Sequence, residues 1–145
     1  MSIERVVVAR RRMFSSAHLY RQKRFTPEEN QRVFGLCYTD HGHGHNYVVE
    51  AFVIGPIDPK TKLVVNLADL DQILDSATQP LEHHHLNFDV PEFQDQVPTT
   101  ENIALYLRDR IKSELEKLNS RLQAKLELQR LRLFETDDLW VEVWG

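Results

Sequence analysis

Apolar and polar positions alternate along four stretches of this chain and recur at helical spacing along two others. From Ile3 to Met13, β-branched residues give way to Arg10-Arg11-Arg12, a pattern that predicts a strand leading into Phe14-Ser15-Ser16-Ala17-His18. Asn46 to Ile54 predicts a second strand. It is turned by Gly55-Pro56-Ile57-Asp58-Pro59 and followed by a short extended stretch, Leu63-Val64-Val65, expected to be its antiparallel neighbour. Asn66 can cap a helix running to about Thr78, because Leu67, Leu70, Ile73, Leu74 and Ala77 share one helical stripe and Pro80 stops it. A second helix begins after Pro98, with Thr99 or Thr100 as cap and a buried stripe of Ala104, Leu107, Ile111, Leu115 and Leu118. It ends between Leu118 and Leu126. Two more strands, Leu128 to Glu135 and Leu139 to Trp144, alternate around Thr136-Asp137-Asp138. Residues 19 to 36 read as a long polar loop holding a helical turn, and such loops in small domains are usually functional. The order β, β, α, α, β, β predicts an α+β fold, a four-stranded antiparallel sheet with two helices on one face.

Composition narrows the function classes. At 145 residues, with 41% hydrophobic and 28% charged positions, residues 1 to 145 are expected to form a single domain with a core of its own. A net charge of -4 supplies no basic footprint for nucleic acid or anionic lipid, so an anionic ligand must be met locally. One cysteine precludes an internal disulfide, and no apolar run is long enough to span a membrane, so a cytoplasmic setting is expected. No Gly-x-Gly-x-x-Gly and no P-loop signals a nucleotide cofactor.

All seven histidines fall in three places: His18, the group His41, His43 and His45, and the run His83-His84-His85. His43 and His45 are two apart, so on extended backbone both rings leave one face and can grip one ion. His18, at the end of the first strand, is the natural third ligand. Three histidines with an open fourth position is the pattern of a catalytic zinc. The competing reading is of polar histidines in a Gly-rich loop, which is how His41 is taken. Cys37 is either a small buried hydrophobe or, beside a cation, a thiolate able to abstract a proton. In Leu81-Glu82-His83 a carboxylate can orient the neighbouring ring, making His83 a candidate proton relay, with His84 and His85 facing solvent or packing. Glu135 ends a strand and could accept two parallel hydrogen bonds from an amidine-like ring edge, or could be an exposed strand-end charge.

Together these segments resemble the 6-pyruvoyl-tetrahydropterin synthase family, which also contains the 6-carboxy-tetrahydropterin synthases of queuosine biosynthesis. The resemblance runs from Phe14 to Trp144. It rests on Phe14 with His18, on Cys-x5-His-Gly-His-Asn-Tyr from Cys37 to Tyr47, on Ile57-Asp58-Pro59 with Val65 to Leu70, on Glu82-His83, on Thr99-Thr100-Glu101-Asn102, and on Glu135-Thr136-Asp137. It implies that His18, His43 and His45 bind zinc and that Cys37 and His83 are catalytic. Glu82 stands where the family has aspartate, and Ser16 where it usually has alanine. Glu135 takes the pterin-anchoring position, with Thr99 and Thr100 near the same ring.

The resemblance further implies the tunnelling fold (T-fold), in which three sheets join into a barrel and two trimers stack as a homohexamer. Closing the barrel would cover a sheet face expected to be too apolar for solvent, and Glu82 and His83 could then come from a neighbouring subunit. The implied substrate is 7,8-dihydroneopterin triphosphate, with Lys23, Arg24 and the arginines near Arg11 as candidates for its phosphates. The five residues between Cys37 and His43 favour a 6-pyruvoyl-tetrahydropterin product over the 6-carboxy product. A non-catalytic zinc or pterin-binding module is the alternative from another class.

Overall fold

The computed structural model describes residues 3–145. In chain order the elements are β1 (Arg5–His18), α1 (Pro27–Phe34), β2 (His43–Pro56), α2 (Leu67–Thr78), β3 (His84–His85), α3 (Leu86–Asp89), α4 (Thr100–Leu122), β4 (Glu127–Thr136) and β5 (Leu139–Trp144). Single 3-10 turns lie at Gly35–Cys37 and Pro91–Phe93.

β1 and β2 are each fourteen residues long and pair antiparallel without a break, from Arg5 opposite Pro56 to His18 opposite His43. Because side chains alternate across a strand, Phe14, Ser16 and His18 leave the same face as His43, His45 and Tyr47. β4 pairs antiparallel with the other side of β2, and β5 with β4. The sheet has five strands rather than four, in the order β3-β1-β2-β4-β5, because His84 and His85 run parallel to Ser16 and Ala17. A two-residue strand carries no alternation that a sequence could display.

Both long helices lie where their stripes place them. Asn66 caps α2 through a bond from the Ala68 amide at 2.9 Å, and Leu70, Ile73, Leu74 and Ala77 are buried. Thr99 caps α4 through the Asn102 amide at 3.1 Å, and Ala104, Leu107, Ile111, Leu115 and Leu118 are buried. Gln123, in the left-handed region at φ 52°, ends α4. These faces join Val49, Ala51, Val53, Leu131 and Leu133 of the sheet in one cluster. The turn expected between residues 19 and 36 is the two-turn helix α1, closed by a reciprocal capping box of Thr26 and Glu29. Leu63-Val64-Val65 is not a strand. Asp58 organises that segment instead, its carboxylate accepting from the amides of Lys60 and Thr61, while Val64 and Val65 pack on the core.

The face of the sheet away from the helices is mixed rather than apolar. Met13, Trp140 and Trp144 are exposed there. Beside them one row crosses four strands in register, Arg11 opposite Glu50, Glu50 opposite Arg132 and Arg132 opposite Glu142. Its ion pairs measure 2.8 Å for Arg11–Glu50 and 2.7 Å for Arg132–Glu142. Among the described residues, the edge of β1 away from β2, before Ser16, and the edge of β5 away from β4 have no strand partner.

Asn119 ties the end of α4 to the start of β4, its amide oxygen accepting from the Leu126 amide at 2.9 Å and its nitrogen donating to the Leu126 carbonyl at 2.8 Å. Asn119→Ala leaves both backbone groups unpaired and should lower the unfolding free energy in denaturant titrations by about 1–3 kcal/mol.

Candidate active site

The three predicted ligands converge at one end of the β1–β2 ladder. The rings of His18, His43 and His45 form a triangle, with centroids 4.8 Å apart for His18–His43, 5.1 Å for His18–His45 and 4.8 Å for His43–His45. His18 is fully buried, and its Nδ1 lies 2.9 Å from the Pro98 carbonyl. A carbonyl can only accept, so the proton sits on Nδ1 and the lone pair of Nε2 faces the other rings. The Tyr47 hydroxyl oxygen, 3.0 Å from the same Nδ1, is a second acceptor for that proton. Burial pushes the His18 ring down to about 4, with the Pro98 bond opposing and the His43 charge adding to the shift. Burial likewise lowers His45, against the pull of Glu135. Both rings are therefore held in the neutral form that a metal requires.

Glu135 is the fourth member of the cluster. A register shift between Phe134 and Thr136 leaves it in a bulge of β4, a device that re-aims a side chain. Its Oε2 accepts from the Thr100 hydroxyl and, at 3.3 Å, from the Tyr20 hydroxyl. Its Oε1 lies 3.1 Å from His45 Nε2. One ligand atom from each of His18, His43, His45 and Glu135 falls within 4.8 Å of the others, a set that could hold a metal ion. Two atoms bound to one tetrahedral zinc at about 2.0–2.1 Å stand about 3.3 Å apart. His18 Nε2 and His43 Nε2 stand 3.2 Å apart, and the buried His45 Nε2, though 3.1 Å from Glu135 Oε1, makes no hydrogen bond. The donor set fits zinc. Glu135 Oε1 borders this donor set beside His45, while Oε2 is shared by the Thr100 and Tyr20 hydroxyls.

Cys37 ends the 3-10 turn after α1, and its carbonyl accepts from the Tyr20 amide at 2.8 Å. Burial pushes the thiol up, and the Glu135 charge adds to this, so without a cation the thiol is held protonated rather than poised near neutrality. Tyr20 was not singled out by its sequence context. Its ring packs edge-on to His18 at 4.9 Å and its phenol is raised by burial and by Glu135. The signal for it was its place two residues beyond His18 at the strand's end. Of the two threonines, Thr100 reaches Glu135, whereas Thr99 is committed to capping α4.

Glu82 and His83 do not join this group. They sit at the edge of β1, where the His83 amide donates to the Ser15 carbonyl at 2.7 Å and Glu82 Oε2 accepts from the Ser15 amide at 2.9 Å. Glu82 Oε1 is 3.1 Å from His83 Nε2, so the longer carboxylate reaches both the strand and the ring. The His83 side chain is 79% exposed and lines a groove of about 420 Å³ together with Ser15, Ala17, Gly44, Asn46 and, from the histidine triangle, His45. Of the phosphate candidates, Lys23 pairs with Asp95 at 2.9 Å and Arg11 with Glu50, while Arg24 is exposed without an ion pair among the described residues.

His18 sets a pH dependence. Its folded-state value lies below the usual one near 6.5, so between these values the unfolded chain binds a proton that the folded chain does not. Stability of the metal-free protein should thus fall as pH drops from about 6.5 to about 4. Denaturant titrations across that range should show this loss reduced in His18→Gln.

Comparison with known proteins agrees with this geometry. Residues 7–145 match the family described as 6-pyruvoyl tetrahydropterin synthase. The chain is 43% identical over 132 residues to the 6-pyruvoyl tetrahydrobiopterin synthase of Pongo abelii, covering 90% of this chain and 86% of that one. It is 42% identical, over the same shares, to the Homo sapiens protein of that name. The solved structure of Caenorhabditis elegans 6-pyruvoyl tetrahydropterin synthase superposes with a TM-score of 0.89 at 30% identity, covering 100% of this chain and 99% of that one. With the T-fold and the histidine triangle in place, this chain belongs to the 6-pyruvoyl tetrahydropterin synthase family.

Proposed function

We propose that this protein is a zinc-dependent lyase that converts 7,8-dihydroneopterin triphosphate to 6-pyruvoyl-tetrahydropterin with release of triphosphate. The observation that carries the reading is the convergence of His18, His43 and His45, with Cys37 close enough to share the field of Glu135, in a chain whose relatives bear the synthase name. His18, His43 and His45 would hold the zinc, with His18 kept in the right tautomer by Pro98. Zinc bound there would supply a Lewis acid for the substrate's side-chain hydroxyls and the carbonyl that forms, and would offset the Glu135 charge that keeps Cys37 protonated. Cys37, once ionised, takes a proton from a side-chain carbon and His83, oriented by Glu82, moves protons on the opposite side. The side chain loses triphosphate and two electrons, and the ring gains them with the transferred protons, so no outside reductant is needed. Glu135 and Thr100 border the pterin site, with the Glu135 carboxylate set between Thr100, Tyr20 and His45.

Purified protein should turn over the triphosphate, lose activity to a chelator and regain it with zinc, and mass analysis should find the pyruvoyl product. Cys37→Ala should retain zinc while turnover falls by about two to four orders of magnitude, the usual worth of a positioned acid or base. Near wild-type turnover in that variant would return Cys37 to a packing role. A 6-carboxy product would move the protein to the other branch of its family.

Because Glu82 and His83 lie outside the metal cluster, and because β1 and β5 keep unpaired edges, the working enzyme is proposed to be a homohexamer, a dimer of trimers. Centrifugation should find at least a trimer. Mixing inactive Cys37→Ala with inactive His83→Ala should restore part of the activity if each site draws on two subunits, and a stable active monomer would rule this out.

A further inference from the structure

We infer that His85 is a positioning residue that braces the loop between Cys37 and the ligand strand, and thereby sets the metal site. That loop, residues 38–42, joins the 3-10 turn holding Cys37 to His43, the first residue of β2. Inside it the Gly42 amide donates to the Thr39 hydroxyl at 2.8 Å. Among the described residues, its one hydrogen bond from a side chain elsewhere in the chain comes from His85, whose Nε2 lies 2.9 Å from the His41 carbonyl. The carbonyl can only accept, so the ring carries its proton on Nε2. His85 is itself fixed. Its backbone lies beside Ala17, its amide donates to Asp89 Oδ2 at 2.9 Å, and its ring stacks on Phe88 with centroids 4.3 Å apart.

The brace acts at a close contact. Gly42 has φ 79°, and a Cβ there would collide with the carbonyl of His18 and sit 3.2 Å from His85 Nε2. The loop backbone is thus packed against the carbonyl of a proposed ligand residue and pinned by His85 beside it. The same segment also clamps the chain beyond His18, because the Asn87 side chain accepts from the Leu19 amide and donates to the Leu19 carbonyl, each at 2.9 Å. Without the His85 bond the loop keeps only its local turn, and the backbone that aims His43 gains freedom. Histidine meets the need because it joins a flat face for Phe88 to a donor at the ring's far end.

The inference rests on zinc binding by His18, His43 and His45, and three variants separate the two. His85→Phe keeps the stack and removes the donor, while His85→Gln returns a donor near the Nε2 position. In metal-free protein, exchange of the Gly42 and His43 amides measured by NMR should quicken at least about tenfold in His85→Phe and stay near wild type in His85→Gln. Zinc release to a chromogenic chelator should speed about ten- to a hundredfold in His85→Phe, the usual effect of losing a partner behind the ligands, and recover in His85→Gln. Thermal midpoints of the metal-free variants should match within about 2 °C, which excludes general destabilisation. Wild-type exchange and zinc release in His85→Phe would overturn the brace. Absence of zinc binding in the wild-type protein and in His43→Ala alike would instead overturn the metal reading, leaving amide exchange to judge the brace.

Discussion

The unbroken pairing of β1 with β2 is the constraint on which the rest depends. Its fourteen aligned positions decide which side chains share a face, and at one end they set Phe14 against Tyr47, Ser16 against His45 and His18 against His43. A slip of one residue would turn His43 and His45 to the face opposite His18 and split the candidate ligand set. The stacked rings of Phe14 and Tyr47, both buried with centroids 5.1 Å apart, hold this register one step inside the site. The apolar core thus extends up to the chemistry, and dry packing beneath the histidines keeps two of them neutral.

Glu135 shows how one group can serve several others. The bulge that frees it from the β4 ladder lets its carboxylate meet the first residue of α4 and a ring of the histidine triangle together. The start of a helix favours negative charge, and Thr100 supplies a hydroxyl donor there. The same charge holds back ionisation at Cys37 and Tyr20. Without a cation, the thiol of Cys37, the phenol of Tyr20 and the imidazoles of His18 and His45 are thus held uncharged.

Much of this was legible in the sequence, for reasons that differ between elements. The two long helices carry their stripe and cap within a single window of residues, and the convergence of His43 and His45 follows from a spacing of two on a strand. The partners of each ligand were not legible. Pro98 is eighty positions from His18, and nothing in Thr99-Thr100 says which hydroxyl turns toward Glu135 and which caps the helix. The strand expected at Leu63 to Val65 failed because Val64 and Val65 pack on the core as readily from a loop, with Leu63 left exposed. Glu82 and His83 were recognisable as a pair, whereas their separation from the cluster depends on where the turn after α2 meets β1.

The charged row on the sheet's helix-free face bears on how such a chain can drift. Arg11, Glu50, Arg132 and Glu142 alternate in sign along a line perpendicular to the strands, and Arg11 and Arg132 also lie over the rings of Phe134 and Phe52. Replacing any member with an apolar residue leaves a neighbour without its counter-charge, and replacing either arginine also strips a cation from an aromatic face. Exchanging two adjacent members for each other preserves the alternation within their pair but puts like charges beside each outer neighbour. The row is thus a parity code: changes to it are tolerated when they reverse every sign together or replace opposite charges in pairs, so substitutions at these four positions should accumulate as correlated sets.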